Sequence, residues 1–163
     1  RKNLINILKA YRTSGLYKDY KFLIAGFPSM GFEEINAAIV NNNLQNDVII
    51  SGYVPDDVLP VLYENSAGLV FPTYYEGFGI SIIEAMELKI PVLAGNTGAA
   101  PEIAKGYAVL VSPFSVGEIA EGMKIMLDVS MDNIQSAYEY SKKFTWEKTA
   151  HETAEFYKDV LSY

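Results

Sequence analysis

The stretch "AGLVFPTYYEGFGISIIEAMELKIPVLAG", Ala67 to Gly95, holds the pattern that decides the fold. It opens with a short apolar run, breaks at Pro72, and crosses a polar turn containing Gly77 and Gly79. A helical pattern comes next, in which Ile80, Ile83 and Met86 or Leu88 fall on buried sides, and Pro91 then leads into a second apolar run. An apolar run, a helix and another apolar run make one crossover unit of a parallel sheet. Two glutamates, Glu76 and Glu84, stand eight positions apart across the glycines.

The unit recurs in both directions. "YKFLIAG" (Tyr20–Gly26), "DVIISGY" (Asp47–Tyr53), "IPVLAG" (Ile90–Gly95) and "YAVLVSP" (Tyr107–Pro113) are further apolar runs bounded by Gly or Pro, and all read as buried strands. Between them, "NLINILKAYRTSG" and "FEEINAAIVNNNL" carry helical periodicity that stops at Gly15 and at a run of asparagines. "SVGEIAEGMKIML" opens with Ser115 and Glu118 at the spacing of a capping box. The tail places Trp146, Ala150, Thr153, Ala154, Tyr157, Val160 and Leu161 along one helical face. Continuous apolar strands alternating with helices predict a single α/β domain, a Rossmann-like doubly wound parallel sheet covered on both faces. In such sheets, ligands bind beyond the carboxyl ends of the strands.

Composition narrows the function. The 163 residues are half hydrophobic and one-fifth charged, which fits a folded domain, and no apolar run reaches the roughly 18 to 20 residues of a membrane span. The formal charge of −7 opposes a nucleic-acid surface, which needs a basic stripe. No cysteine is present, which removes thiol chemistry and fits a reducing, cytoplasmic setting. The one histidine, His151, cannot make a histidine metal cluster and reads as helix surface or packing, and Asp56 and Asp57 read as residues of a helix's first turn. The opening "RKNLINILKAY" reads as the interior of a longer protein, with Arg1 solvated.

Gly77 and Gly79 allow close backbone approach, and the free N–H groups of the helix start suit a phosphate. Glu76 and Glu84 make better sense as acceptors for hydroxyl groups on either side of a diphosphate than as contacts to the phosphates themselves. The third glycine of the dinucleotide fingerprint is missing, however, and a plain loop and helix start, with Glu84 favoured by the helix dipole, stays open on these residues alone. Tyr74 and Tyr75 shape the loop. "NTGAAPE" (Asn96–Glu102) is a second strand-to-helix loop on the same edge, where Thr97 and Gly98 either touch a ligand or simply start the helix.

"YEGFGISIIEAM" resembles the E-x7-E motif of retaining nucleotide-sugar glycosyltransferases of family 4, which have the GT-B fold. "SGYVPDDVLPVLYENSAGLVFPTYYEGFG" is similar to the family's segment leading into that motif, and "IPVLAGNTGAAPEIAKGYAVLVSP" to the segment on its carboxyl-terminal side. "FTWEKTA" resembles the family's carboxyl-terminal Trp-containing helix, and "RKNL" its phosphate-contacting segment. The resemblance implies the carboxyl-terminal, donor-binding half of a two-domain enzyme that moves a sugar from a nucleoside diphosphate to a glycan, lipid or other acceptor.

Residue by residue, it implies that Glu76 binds the transferred sugar near the reacting centre. Phe78, Gly79 and Ile80 would offer backbone N–H groups, Glu84 would accept from the ribose, Lys2 would neutralise the diphosphate, and Tyr53 and Val54 would line the base site. It implies no metal and no other cofactor. The family's Gly-Arg and its strand, expected just before "RKN", are not in this sequence, nor is the amino-terminal acceptor domain. The expected partners are therefore the donor and that domain, with membrane-face contact of the longer enzyme left open. The fragment alone is expected to be inactive, and its last helix, Tyr163 included, to lack its normal cover. A nucleotide-sugar epimerase or phosphorylase of the same fold, or a non-catalytic nucleotide-sugar module, stays open as an alternative.

Overall fold

A computed structural model describes residues 2–26 and 31–162; Arg1 and Tyr163 lie outside them. Helix α1 (Leu4–Ser14) and a short 3-10 turn lead into strand β1 (Phe22–Ala25), followed by α2 (Phe32–Asn41) and β2 (Val48–Gly52). Then come α3 (Leu59–Glu64), β3 (Leu69–Phe71), α4 (Ile80–Glu87), β4 (Val92–Gly95), α5 (Ala100–Ala104) and β5 (Val109–Val111). Three helices end the chain: α6 (Val116–Leu127), α7 (Met131–Ser141) and α8 (Trp146–Leu161).

Among the described residues every strand pairing is parallel, as the alternation of apolar runs and helices predicts. Strand β1 pairs with β2, and β3, β4 and β5 pair in that order, so the ladder is interrupted between β1 and β3. Helices cover both faces. On one side α1, α2 and α6 bury Ile7, Leu8, Ile119 and Met123 against Val70, Leu93 and Val111. On the other, α4, α5 and α7 bury Ile82, Met86 and Ile103 against Leu69, Phe71, Val92 and Ala94. Successive strand residues thus feed opposite cores, as the two-residue pleat requires. Each fully buried Leu or Ile contributes roughly 1.5–3 kcal/mol.

Several sequence expectations are corrected. Of the described strands only β4 is buried along its whole length; β1 and β2 alternate between half-buried and exposed positions, and β3 is half-buried throughout. Ile80 is exposed rather than buried, because it is the first residue of α4; Ile82, Ile83, Ala85 and Met86 fill the core instead. Asp56 and Asp57 lie in the turn preceding α3, not in its first helical turn. Ser115 caps α6 by accepting from the Glu118 N–H, but the Glu118 carboxylate accepts from the Ser112 N–H, so the reciprocal half of the capping box goes one turn upstream.

Helix α8 buries none of its residues, and Trp146, Phe156, Tyr157, Val160 and Leu161 are all exposed. Its helicity rests on the Thr145 cap and local ion pairs such as Lys158–Glu155, and such pairs are worth only a few tenths of a kcal/mol. Amide hydrogen exchange in this chain is therefore expected to be much faster across Trp146–Leu161 than in β4. Equal protection of the two segments in a monomer would show that α8 is anchored after all.

Candidate functional site

The carboxyl ends of β3 and β4 and the start of α1 converge on one edge of the molecule. Asn3, which precedes α1 in a left-handed conformation, is buried and donates from Nδ2 to the carbonyls of Pro72 (2.8 Å) and Pro113 (2.7 Å). This clamp ties the start of α1 to the ends of β3 and β5. It holds Lys2 beside the loop after β3, where its Nζ donates to Glu76 Oε1 at 2.9 Å and lies 4.6 Å from the centre of the Phe71 ring. Glu76 is buried to 8 % exposure, while the Lys2 side chain keeps 48 %. The pair therefore presents a fixed carboxylate and a cation open to solvent.

The backbone of Glu76 is held as firmly as its side chain. The Ala99 N–H donates to its carbonyl, and Gly98 packs so closely that a Cβ there would stand 2.8 Å from that oxygen. Thr97 donates its hydroxyl to the Thr73 carbonyl, joining the two loops again. The "NTG" turn after β4 thus braces the "YYEGFG" turn after β3. Gly79 then begins α4 at φ 95°, ψ 51°, a left-handed geometry that suits glycine, with no side chain capping the helix. The first-turn N–H groups of α4 are accordingly directed at whatever occupies this edge. Phe78, partly exposed, packs edge-on against Phe144 at 6.0 Å.

Glu84 lies in the second turn of α4, half-buried, with Oε2 accepting from the Tyr63 hydroxyl at 3.5 Å. Burial, and then the Glu84 charge, push the Tyr63 phenol up to about 12, so it remains a neutral donor toward that carboxylate. Lys2, Glu76, Thr97 and Gly98 are joined by contacts, and Gly79, Ile80 and Glu84 succeed one another along one short helix and its cap. Tyr53 and Val54 follow β2, in the other sheet; Tyr53 is exposed and Val54 half-buried.

Sequence reasoning missed Asn3, Tyr63 and the whole of α7. Tyr63 sits on a six-residue helix too short to show a period, and Asn3 betrays itself only by its neighbour Lys2. In α7 the buried residues are Ala137, Tyr140 and Ser141, too small or polar for an apolar stripe. Among the described residues, no three His, Cys, Asp or Glu side chains gather as ion ligands, and no helix is long and apolar enough to cross a membrane.

Comparisons with known proteins bear on the family and the fold. The chain is 29 % identical to the O-antigen chain mannosyltransferase B of Escherichia coli, over 97 % of this chain and 43 % of that protein. The sucrose-phosphate synthase of Thermosynechococcus elongatus superposes with a TM-score of 0.85 at 23 % identity, covering 99 % of this chain and 43 % of that one. Anabaena HepE, solved in complex with UDP and glucose, gives a TM-score of 0.82 at 20 % identity over 93 % of this chain and 44 % of that one. The chain thus spans less than half the length of these proteins, and its fold is that of GT-B glycosyltransferases. The model of the family described as glycosyl transferases group 1 matches residues 1–144, and the chain belongs to that family.

Proposed function

We propose that this chain is the carboxyl-terminal, donor-binding half of a retaining glycosyltransferase of family 4. It would hold a nucleoside-diphosphate sugar for transfer to an acceptor bound by an amino-terminal domain of the longer protein. The observation that carries the reading is the Glu76 carboxylate, fixed on Lys2 at the carboxyl end of β3 and next to the uncapped start of α4. A group that must carry negative charge as it leaves finds there one solvent-exposed ammonium and a set of oriented N–H groups. These do the work that a metal does elsewhere, so the reaction requires none.

In this reading Glu76 meets the hydroxyls of the sugar and stabilises positive charge near the reacting carbon. Phe78, Gly79 and Ile80 give backbone N–H groups to sugar and diphosphate, with Thr97 and Gly98 closing the wall behind them. Glu84, steadied by Tyr63, accepts from the ribose, and Tyr53 and Val54 lie beside the base. The E. coli relative is by name a mannosyltransferase of the O-antigen chain, and HepE was solved with UDP and glucose. Both support a sugar nucleotide as donor and a growing surface polysaccharide as one class of acceptor, with the reaction on the cytoplasmic side, at or near the membrane face. This half alone should transfer no sugar, because it holds only one of the two reactants.

Calorimetric titration of the chain with UDP-, GDP- and ADP-sugars tests the reading. One of the three should bind, and Glu84→Ala should weaken its nucleoside diphosphate by about 1 to 3 kcal/mol, the range for an unmade charged hydrogen bond. Binding of all three with no loss in the variant would remove Glu84 from the donor site.

A further inference from the structure

Tyr74 and Tyr75 are consecutive in the loop after β3, and they turn opposite ways. Tyr75 faces the loop that leads into α5, where a Cβ on Gly98 would stand 3.4 Å from its ring. Tyr74 turns toward α1, and Asn6 donates from Nδ2 to its hydroxyl at 3.0 Å. The Tyr74 ring lies against that of Phe114, with centres 5.2 Å apart and planes inclined by 31°. Phe114 stands two residues ahead of α6 and is 71 % exposed.

This pair is tied down on its polar side. Asn6 also donates to the Pro113 carbonyl at 3.4 Å, and the Phe114 N–H donates to Ser112 Oγ at 3.4 Å. One broad apolar surface stays in water all the same. Burying a Phe side chain is worth roughly 1.5–3 kcal/mol, and the fold leaves most of that unused at Phe114. Exposed rings held in one arrangement by their own loops are organised in advance for a ligand. The rim of the surface is polar. The Tyr74 hydroxyl, which accepts from Asn6, keeps its own proton to donate. The exposed Glu118 carboxylate reaches back over the same loop to the Ser112 N–H at 3.0 Å.

We infer that Tyr74 and Phe114 form a stacking platform for a sugar chain, with the Tyr74 hydroxyl and Glu118 as its polar rim, and that this chain is the acceptor. The acceptor role rests on the donor reading of Glu76. A pyranose has apolar C–H faces and a girdle of hydroxyls, so a flat aromatic surface edged with donors and acceptors matches it on both counts. Position selects acceptor over donor. The donor groups of that reading run from Glu76 along α4 to Glu84, and α4 belongs to the core shared with α5 and α7. The platform is carried by α1 and the loop into α6, which belong to the other core. Tyr74 is only two residues from Glu76, a span of at most roughly 7 Å. A chain lying on the rings thus reaches Glu76 without crossing the groups that hold the nucleotide.

Ring-resolved NMR of the chain, titrated with mannotetraose and separately with maltotetraose, tests this. At least one of the two should shift the ring signals of Tyr74 and Phe114. It should bind Phe114→Ala roughly tenfold more weakly, the cost of one lost stacking partner, and Phe114→Tyr as well as the parent. Trp146, exposed on α8, is the internal control, and its signals should not move. Equal shifts at Trp146 would overturn the inference, because the sugars would then adhere to any exposed ring. So would unmoved Tyr74 and Phe114 signals with both sugars, which leaves the surface to a protein neighbour. UDP, GDP and ADP, added in separate titrations, report on the donor reading through the amides of Gly79 and Glu84. Nucleotide shifts without sugar shifts keep that reading and remove the platform; sugar shifts without nucleotide shifts keep the platform and remove the reading.

Discussion

Replacing Glu76 by glutamine in the longer enzyme is expected to lower kcat by about 10²- to 10³-fold, or about 2.7–4 kcal/mol, the cost of losing one preorganised charge-stabilising group. Affinity for the nucleoside diphosphate should hold or rise. The asymmetry comes from the geometry. The Glu76 side chain is 10 % exposed and one of its oxygens is 2.9 Å from the Lys2 ammonium, so the carboxylate cannot move away when a ligand arrives. Glutamine keeps the shape and an oxygen acceptor while removing the charge. Lys2 then loses a competing anion and is freer to pair with a diphosphate, whereas positive charge on the reacting sugar loses its nearest counter-charge. Lys2→Met should chiefly weaken diphosphate binding, with the Glu76 backbone still held by the Ala99 N–H and by Gly98. Steady-state kinetics with calorimetry on both variants separates the two roles. Parallel losses of kcat and diphosphate affinity in Glu76→Gln would mean that Glu76 serves binding alone.

How far such a site can be read without coordinates depends on which interactions are local. The stop of α1 at Gly15 was legible because a left-handed residue at a helix end favours glycine. The end of α2 at asparagines and the Ser115 cap of α6 were legible for similar reasons, since each is settled within one turn of chain. Glu76 and Gly79 were legible as a strand-to-helix loop, and resemblance to a family marked them further. The support behind them was not. Asn3 reaches across 69 and 110 residues to Pro72 and Pro113, and nothing in its neighbourhood signals that reach. The half-exposure of β1 and β3 is equally invisible locally, because an apolar run reads as buried whether or not the next strand is beside it. Helix α7 escaped notice because Ala137 and Ser141 bury little apolar surface, although Tyr140 and Phe144 carry its packing toward Phe78.

Gly98→Ala is expected to destabilise the chain by about 2 to 5 kcal/mol and to disable the site at the same time, because two costs combine in this one methyl group. Gly98 has φ +60°, a left-handed conformation that costs an L side chain roughly 1–2 kcal/mol. The added Cβ would also sit 2.8 Å from the Glu76 carbonyl oxygen and 3.1 Å from its nitrogen, and overpacking a close contact costs roughly 1–3 kcal/mol. Both of those atoms are backbone, so no flexible side-chain end can swing aside. The loop must move, and the nearest thing to move is Glu76, whose carbonyl also accepts from the Ala99 N–H. A shift there carries the carboxylate off Lys2, so the longer enzyme should lose kcat as Glu76→Gln does, but with a lowered melting temperature that Glu76→Gln lacks. Gly117→Ala is the matched control, since a Cβ at Gly117 meets nothing within 4 Å, and it should leave both quantities nearly unchanged. Urea denaturation of the three forms measures the first effect and kcat the second. A Gly98→Ala protein as stable as the parent would show that the two loops are not braced through this contact, and that the position of Glu76 is fixed by its other contacts, Lys2 among them.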